Sequence, residues 1–448
     1  MKQFFWMLLT MAMAGSLSAQ TNDTLRFTLT EAIDYAVKNN LQLKSTQLNE
    51  ENNRFRIKEV RAGALPQLNG SGSGVDNFSR ATQLLPGELL GQPGTTIPVQ
   101  FGTRFVYSGG IQLNQTLYNP SLNVGLKAAT QSQGLYELQT FKTEEDLVYN
   151  LANLYVQLQM TEKQKELLAG NIDRIKRLLE ITNAQFKEGI IKKVDLDQLK
   201  VNFTNLQTQL ASVDNNYSQL LNNIKLLMNI IVDQPITLVD DPGGVKVNVS
   251  RQLNVDANTE LNIIDKQIQL QQLNTDNIKA GYKPSLSLGA NFGRQWQTNT
   301  IFKGSGTSGF SSGYYSVNLA LPIFDGNRKK NQVAQSSIAT KQLALNKEYL
   351  ANTIRSQFQT ATNNLNQNQR VLQAQSQNIK VAEDLYNVAR LSYTEGVAAL
   401  SELINAENGL REAQSQYLTA MLQTNLAELE TMRTSGQLSQ LIKDNTNR

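Results

Sequence analysis

The same succession of signals runs through this chain twice. Arg61-Ala-Gly-Ala-Leu-Pro66 closes a polar helical stretch and opens an alternating segment, and Lys279-Ala-Gly-Tyr-Lys-Pro284 does the same in the second half. Ala184-Gln-Phe-Lys-Glu-Gly189 is matched later by Leu391-Ser-Tyr-Thr-Glu-Gly396. Pro66 and Pro284 lie 218 residues apart, and Gly189 and Gly396 lie 207 apart. A repeat of this size constrains the architecture before any motif is read. The unit is helix, strand pair, very long helix, tight Gly turn, helix. Its order predicts a first repeat over 20–234, a linking segment over 235–258, a second repeat over 259–435 and a flexible tail over 436–448.

Proline marks the boundaries. None of the nine prolines falls between 121 and 234 or after 322. Proline costs about 3 kcal/mol in a helix interior, so these stretches are free to run as helices. Each is broken once by Glu-Gly, and Gly takes the left-handed C′ position without penalty. The pattern predicts helices over 121–188 and 328–395, each roughly 100 Å long at about 1.5 Å per residue. Shorter helices follow over 194–230 and 400–434. Others precede the strands over 29–62 and 259–281, the first opening with the capping box Thr28-Leu-Thr-Glu31. Leu147, Leu151, Leu154 and Leu158 form a narrow apolar stripe, as expected of helices packed side by side with wet outer faces.

Strand pairs are expected within 67–117 and 284–322, where apolar residues alternate with small or polar ones. The intervening segments 79–102 and 298–313 read as long loops. Pro66, Pro120, Pro284 and Pro322 mark the strand–helix junctions, and Tyr107, Phe105, Trp296, Tyr314 and Tyr315 sit near strand ends, where an aromatic belt would lie. About ten residues is the length of a tilted membrane-spanning strand. Four strands cannot close a barrel, since small barrels need about eight. An open edge in lipid leaves backbone groups unpaired, so several chains would have to share one barrel.

Composition narrows the chemistry. The chain has 448 residues, a net charge of +4, and neither Cys nor His. Disulfides, Cys-ligated metals, thiol catalysis and the commonest general base are therefore absent. The near balance of charge gives no basic face for nucleic acid. Gly70-Ser-Gly-Ser-Gly74 lacks a following Gly-Lys-Ser/Thr and is not a phosphate loop. The start of the chain, Lys2 followed by an apolar run and small residues to Ala19, reads as a signal peptide over 1–19 and implies export. No Cys follows it to carry a lipid. Besides a barrel protein, a secreted coiled-coil scaffold or a carboxylate-dependent hydrolase fits export, but the alternating pairs count against the first and the lack of clustered acids against the second.

The repeats, the junction Pro322-Ile-Phe-Asp-Gly326, the Glu-Gly turns, and Leu29-Thr-Glu-Ala-Ile33 with Asn39-Asn40 together resemble the TolC-type outer membrane efflux protein family. The resemblance covers 28–435 and rests on order and spacing. It implies a mainly α protomer with a β-barrel part, three copies sharing a twelve-stranded outer-membrane barrel and a twelve-helix periplasmic tunnel. It implies a periplasmic adaptor and an inner-membrane pump as partners, no enzymatic step and no cofactor or metal. Substrates, small molecules or polypeptides, would pass unchanged through the exit duct of a tripartite efflux or type I secretion system. It also implies an aperture ring at Glu402 and Asn405, where the second position has lost the family's acid. A gate latch would pair Asp195 with Tyr393, while Ala398 stands where a second, basic latch residue is expected. Gly189 and Gly396, with Lys187, Lys192 and Lys193, would form the tips that meet the adaptor.

Overall fold

The computed structural model describes residues 24–91, 93–239, 253–301 and 308–438. The expected signal peptide, most of the tail and much of the linking segment lie outside them. The chain divides into two compact units that cut across the repeats, each unit drawing on both halves.

One unit comprises Gln47–Gln139 and Glu260–Leu350. Its centre is an antiparallel sheet in the order β2-β5-β7-β8. β2 is Gln67–Asp76, β5 is Phe105–Tyr118, β7 is Ser285–Thr298 and β8 is Ser308–Ala320. The expected loop over 79–102 holds a hairpin of its own: β3, Thr82–Pro86, pairs with β4, Thr96–Gln100. Pro and Gly mark turns, and here the turns join short strands that composition hid. β8 also begins well before its expected start, because Gly and Ser pair in register with the outer half of β7.

The other unit comprises Met1–Thr46, Thr140–Thr259 and Ala351–Arg448. Helix α1, Leu29–Asn39, opens with the capping box, Glu31 answering Thr28. Helix α2, Leu41–Ala62, follows after a break at Asn40. One continuous helix was expected there. The buried Asn40 instead accepts from the Leu43 N–H at 2.9 Å and donates to the Leu227 carbonyl at 2.8 Å, so it caps one helix and anchors the break. The two very long helices are α3, Pro120–Lys187, and α6, Arg328–Thr394. Pro120 takes the first helical position, with the Asn119 side chain accepting from the N–H groups of Ser121 and Leu122. Their shorter partners are α4, Lys193–Met228, and α7, Leu400–Thr434, and α5, Thr259–Ala280, precedes the third long strand.

Leu147, Leu151 and Leu158 of α3 are buried with Leu220, Ile224 and Met228 of α4, Ala32, Ile33 and Ala36 of α1, and Leu429 of α7. Along α4 the buried residues Leu199, Leu206, Val213 and Leu220 recur every seventh position, the spacing of a coiled-coil seam. Two short strands complete this core. β1, Leu25–Phe27, pairs in parallel with β6, Ile236–Leu238. The expected linker thus begins as a strand, fixed by burial of Ile236 and Leu238. Among the described residues no helix is long and apolar enough to cross a membrane.

Candidate functional site

Strand register sorts the sheet into two chemically opposite faces. Antiparallel partners directly opposite one another share a face. Leu68 pairs with Leu113, Leu113 with Ala290 and Ala290 with Tyr315. Ile111 pairs with Phe292, Leu288 with Val317 and Leu286 with Leu319, all on that same face. Tyr315 is 88% exposed and Val317 67%, so this is a broad uncovered apolar surface. The opposite face carries Asn69, Ser71, Ser73, Ser108, Gln112, Asn114, Asn291, Gln295, Ser316 and Asn318. One apolar and one polar face on strands of 10–14 residues is the signature of a wall between lipid and water.

Trp296 and Tyr107 pair at the loop end of the apolar face, with Gly309 beside the indole and Gly74 beside the phenol. Tyr314 falls on the polar face opposite Asn291, and Phe105 is buried beneath the Arg104 guanidinium. An aromatic belt drawn from these five residues is therefore reduced to Tyr107 and Trp296 at this end, with Tyr315 further along the apolar face. Pro66 and Pro284 immediately precede β2 and β7. Pro322 instead lies in a seven-residue connection, 321–327, where Gly326 and Asn327 take positive φ and Asp325 caps α6 by accepting from the Lys329 N–H.

The helical unit ends in two turns of the same construction. Gly189 has φ of 74° and Gly396 of 73°. Gly189 N–H donates to Phe186 O and Ile190 N–H to Gln185 O. Gly396 N–H donates to Tyr393 O and Val397 N–H to Ser392 O. Both are Schellman closures. Lys187, Lys192 and Lys193 are exposed around the first turn, where Ile190 and Val194 also expose apolar side chains, as Val397 does at the second turn.

Below the turns, Leu199 of α4 is buried with Leu400, Leu403 and Ile404 of α7, and Leu178, Leu179, Tyr386 and Tyr393 pack against them. The Tyr393 hydroxyl donates to Gln185 Oε1 at 2.7 Å, tying α6 to α3. Asp195 stands in the first turn of α4. No hydrogen bond joins it to Tyr393 among the described residues. Glu402 and Asn405 are exposed on one face of α7, away from the buried Leu403, Ile404 and Glu407.

Gln185, Arg174 and Glu407 were not singled out from the sequence. The Arg174 guanidinium reaches Glu407 Oε1 at 3.4 Å and lies 5.7 Å from the Tyr386 ring. Burial pushes the Glu407 carboxyl above the usual glutamate range, and Arg174 pulls the other way. Glu407 had a signal: it interrupts the apolar stripe Leu400, Leu403, Ile404, Leu410 with a charge.

A sequence model of the family described as "Outer membrane efflux protein" matches this chain twice, over 32–229 and 256–437. The chain belongs to the outer membrane efflux protein family. The outer membrane protein TolC of Salmonella enteritidis is 22% identical over 419 residues, covering 88% of this chain and 78% of that protein. The probable efflux pump outer membrane protein TtgC of Pseudomonas putida is 21% identical, covering 91% and 82%. Among solved structures, CusC aligns with a TM-score of 0.72 at 18% identity, covering 91% of each chain. The outer membrane protein VceC of Vibrio cholerae aligns at 0.70 and 14%, covering 91% of this chain and 96% of that one. This member of the family is thus an outer membrane protein with the family's helical-barrel and β-barrel fold.

Proposed function

We propose that three copies of this chain join their sheets into one closed barrel and act as the exit duct of a tripartite efflux or type I secretion system. The observation that carries the reading is the sheet: among the described residues it has four strands, an apolar face, a polar face, and β2 and β8 each paired on one side only. Unpaired edges in hydrocarbon cost several kcal/mol per group, and edge-to-edge joining of copies satisfies them. Three copies bring twelve strands, enough for a water-filled lumen lined by the Asn, Gln and Ser face. Cargo, small molecules or polypeptides, crosses it without chemical change.

The tip is the gate in this reading. Glu402 from each copy forms an acidic ring that favours cations, with Asn405 contributing no charge. Tyr393 and Asp195 stabilise the shut arrangement, Tyr393 through its bond to Gln185. The basic residues Lys187, Lys192 and Lys193, with the exposed Ile190, Val194 and Val397, offer a mixed surface to a periplasmic adaptor, which links the duct to an inner-membrane pump.

Cell fractionation followed by native mass spectrometry in detergent tests the assembly. The expected result is an outer-membrane, detergent-requiring complex of three chains. A monomer that stays in solution without detergent overturns the proposal.

A further inference from the structure

We propose that the cleft bounded by α3, α6 and α7 near the helical tip binds a small amphiphilic anion that also carries a hydroxyl or amine donor. The cleft has a volume of about 670 Å³, within the range of roughly 300–1,000 Å³ typical of ligand sites. Its walls include Arg174, Leu178 and Ile181 from α3, Tyr386 and Arg390 from α6, and Glu407 from α7.

Charge and hydrogen-bond accounting select the ligand. Arg174 is paired with Glu407 at 3.4 Å, and Arg177 with Asp173 at 2.8 Å. Arg390 has no ion-pair partner among the described residues, so the cleft holds one uncompensated cation. Glu407 is 5% exposed. Its Oε1 accepts from both the Arg174 Nε–H and an Arg174 Nη–H, while its buried Oε2 has no hydrogen-bond partner among the described residues. A buried acceptor left without a donor is costly, so a donor that reaches it is favoured. The same cleft is lined by Leu178, Tyr386 and Ile181, the last 52% exposed.

A simple cation would satisfy Oε2 but would face Arg174, Arg177 and Arg390. An inorganic anion would answer Arg390 but leave Oε2 and the apolar wall unmatched. A flat apolar body with an acidic group at one end and a hydroxyl at the other answers all three. It would bridge α3, α6 and α7. The site stands on the geometry of one chain and is independent of the duct reading.

The probe is 6-hydroxy-2-naphthoate, titrated calorimetrically into the purified full-length chain in detergent, against a blank of the same micelles. The expected result is saturable binding with one site per chain. 2-Naphthoate, lacking the donor, binds about tenfold more weakly, as the loss of one hydrogen bond to a charged acceptor requires. Arg390→Gln, an exposed change, weakens the hydroxynaphthoate by about tenfold for the same reason. Ile181→Trp fills the cleft and abolishes saturable binding, with an unchanged circular dichroism spectrum showing that the helices persist. Absence of saturable heat above the blank overturns the proposal. So does equal affinity for the two naphthoates, or equal affinity in the parent and either variant, since each means partition into apolar surface.

Discussion

At the residue scale, three polar side chains near the tip separate what spacing reveals from what packing decides. Tyr393 is visible in the sequence because it sits at a fixed distance from a turn glycine. Its partner Gln185 is not visible, since it comes from the other repeat, 208 positions away. Tyr393→Phe removes one neutral hydrogen bond, about 1 kcal/mol, and should shift the shut–open balance roughly fivefold toward open. Single-channel recording in planar bilayers reads this as more frequent full-conductance openings. Glu402 is exposed on α7, so Glu402→Gln should leave folding unchanged and lower the cation preference measured by reversal potential. Glu407 is the inverse case, a charge in the packed seam. Its folded-state pKa is raised by burial, so between the ordinary glutamate value and the raised one the folded chain holds more protons than the unfolded chain. Stability therefore rises as pH falls through that window and drops as pH climbs out of it. Urea midpoints taken across the mildly acidic range should show this slope, and Glu407→Gln should flatten it. Arg174 and Arg411 also act on this carboxyl, against the effect of burial, and burial together with the Glu407 charge in turn raises the Tyr386 hydroxyl.

At the element scale, the two tip turns were legible because Gly takes the left-handed conformation without steric cost. Positive φ at Gly189 and Gly396 follows directly from the Glu-Gly breaks in two long proline-free runs. No atom lies within 4 Å of where a Cβ would be placed at either site. Substitution by Ala thus meets no clash, and the cost is conformational alone, about 1–2 kcal/mol at each turn. Limited proteolysis of Gly189→Ala and Gly396→Ala should show faster cleavage at the altered tip and an unaltered pattern elsewhere. The break at Asn40 was not legible, because its cause lies outside the local sequence. Residues 29–62 read as one helical stretch, and the carbonyl that holds Asn40 belongs to Leu227. The β1–β6 pair escaped for the same reason: three residues at the start of the first repeat and three in the linking segment have no periodicity to read, and only burial makes them strands.

At the scale of the whole molecule, the sheet supplies the sharpest contrast. Val317 and Asn318 are neighbours in β8, one on the apolar face and one on the polar face. A lysine on the lipid side of a barrel costs about 2–4 kcal/mol near the bilayer middle, and one facing the lumen costs little. Val317→Lys should therefore lower the yield of folded protein in lipid-vesicle refolding, while Asn318→Lys should refold like the parent. The repeat, the helix–strand alternation, the turn glycines and the two-faced strands were determined by the sequence alone, because each rests on local rules of backbone conformation and side-chain period. The division into units was not, since each unit draws on segments from both repeats. Likewise, only tertiary packing could leave Glu407 in a dry seam with one oxygen unanswered and bring Arg174 and Tyr386 around it. Those contacts join residues more than 200 positions apart, or place one charge among apolar neighbours, and no local preference encodes them.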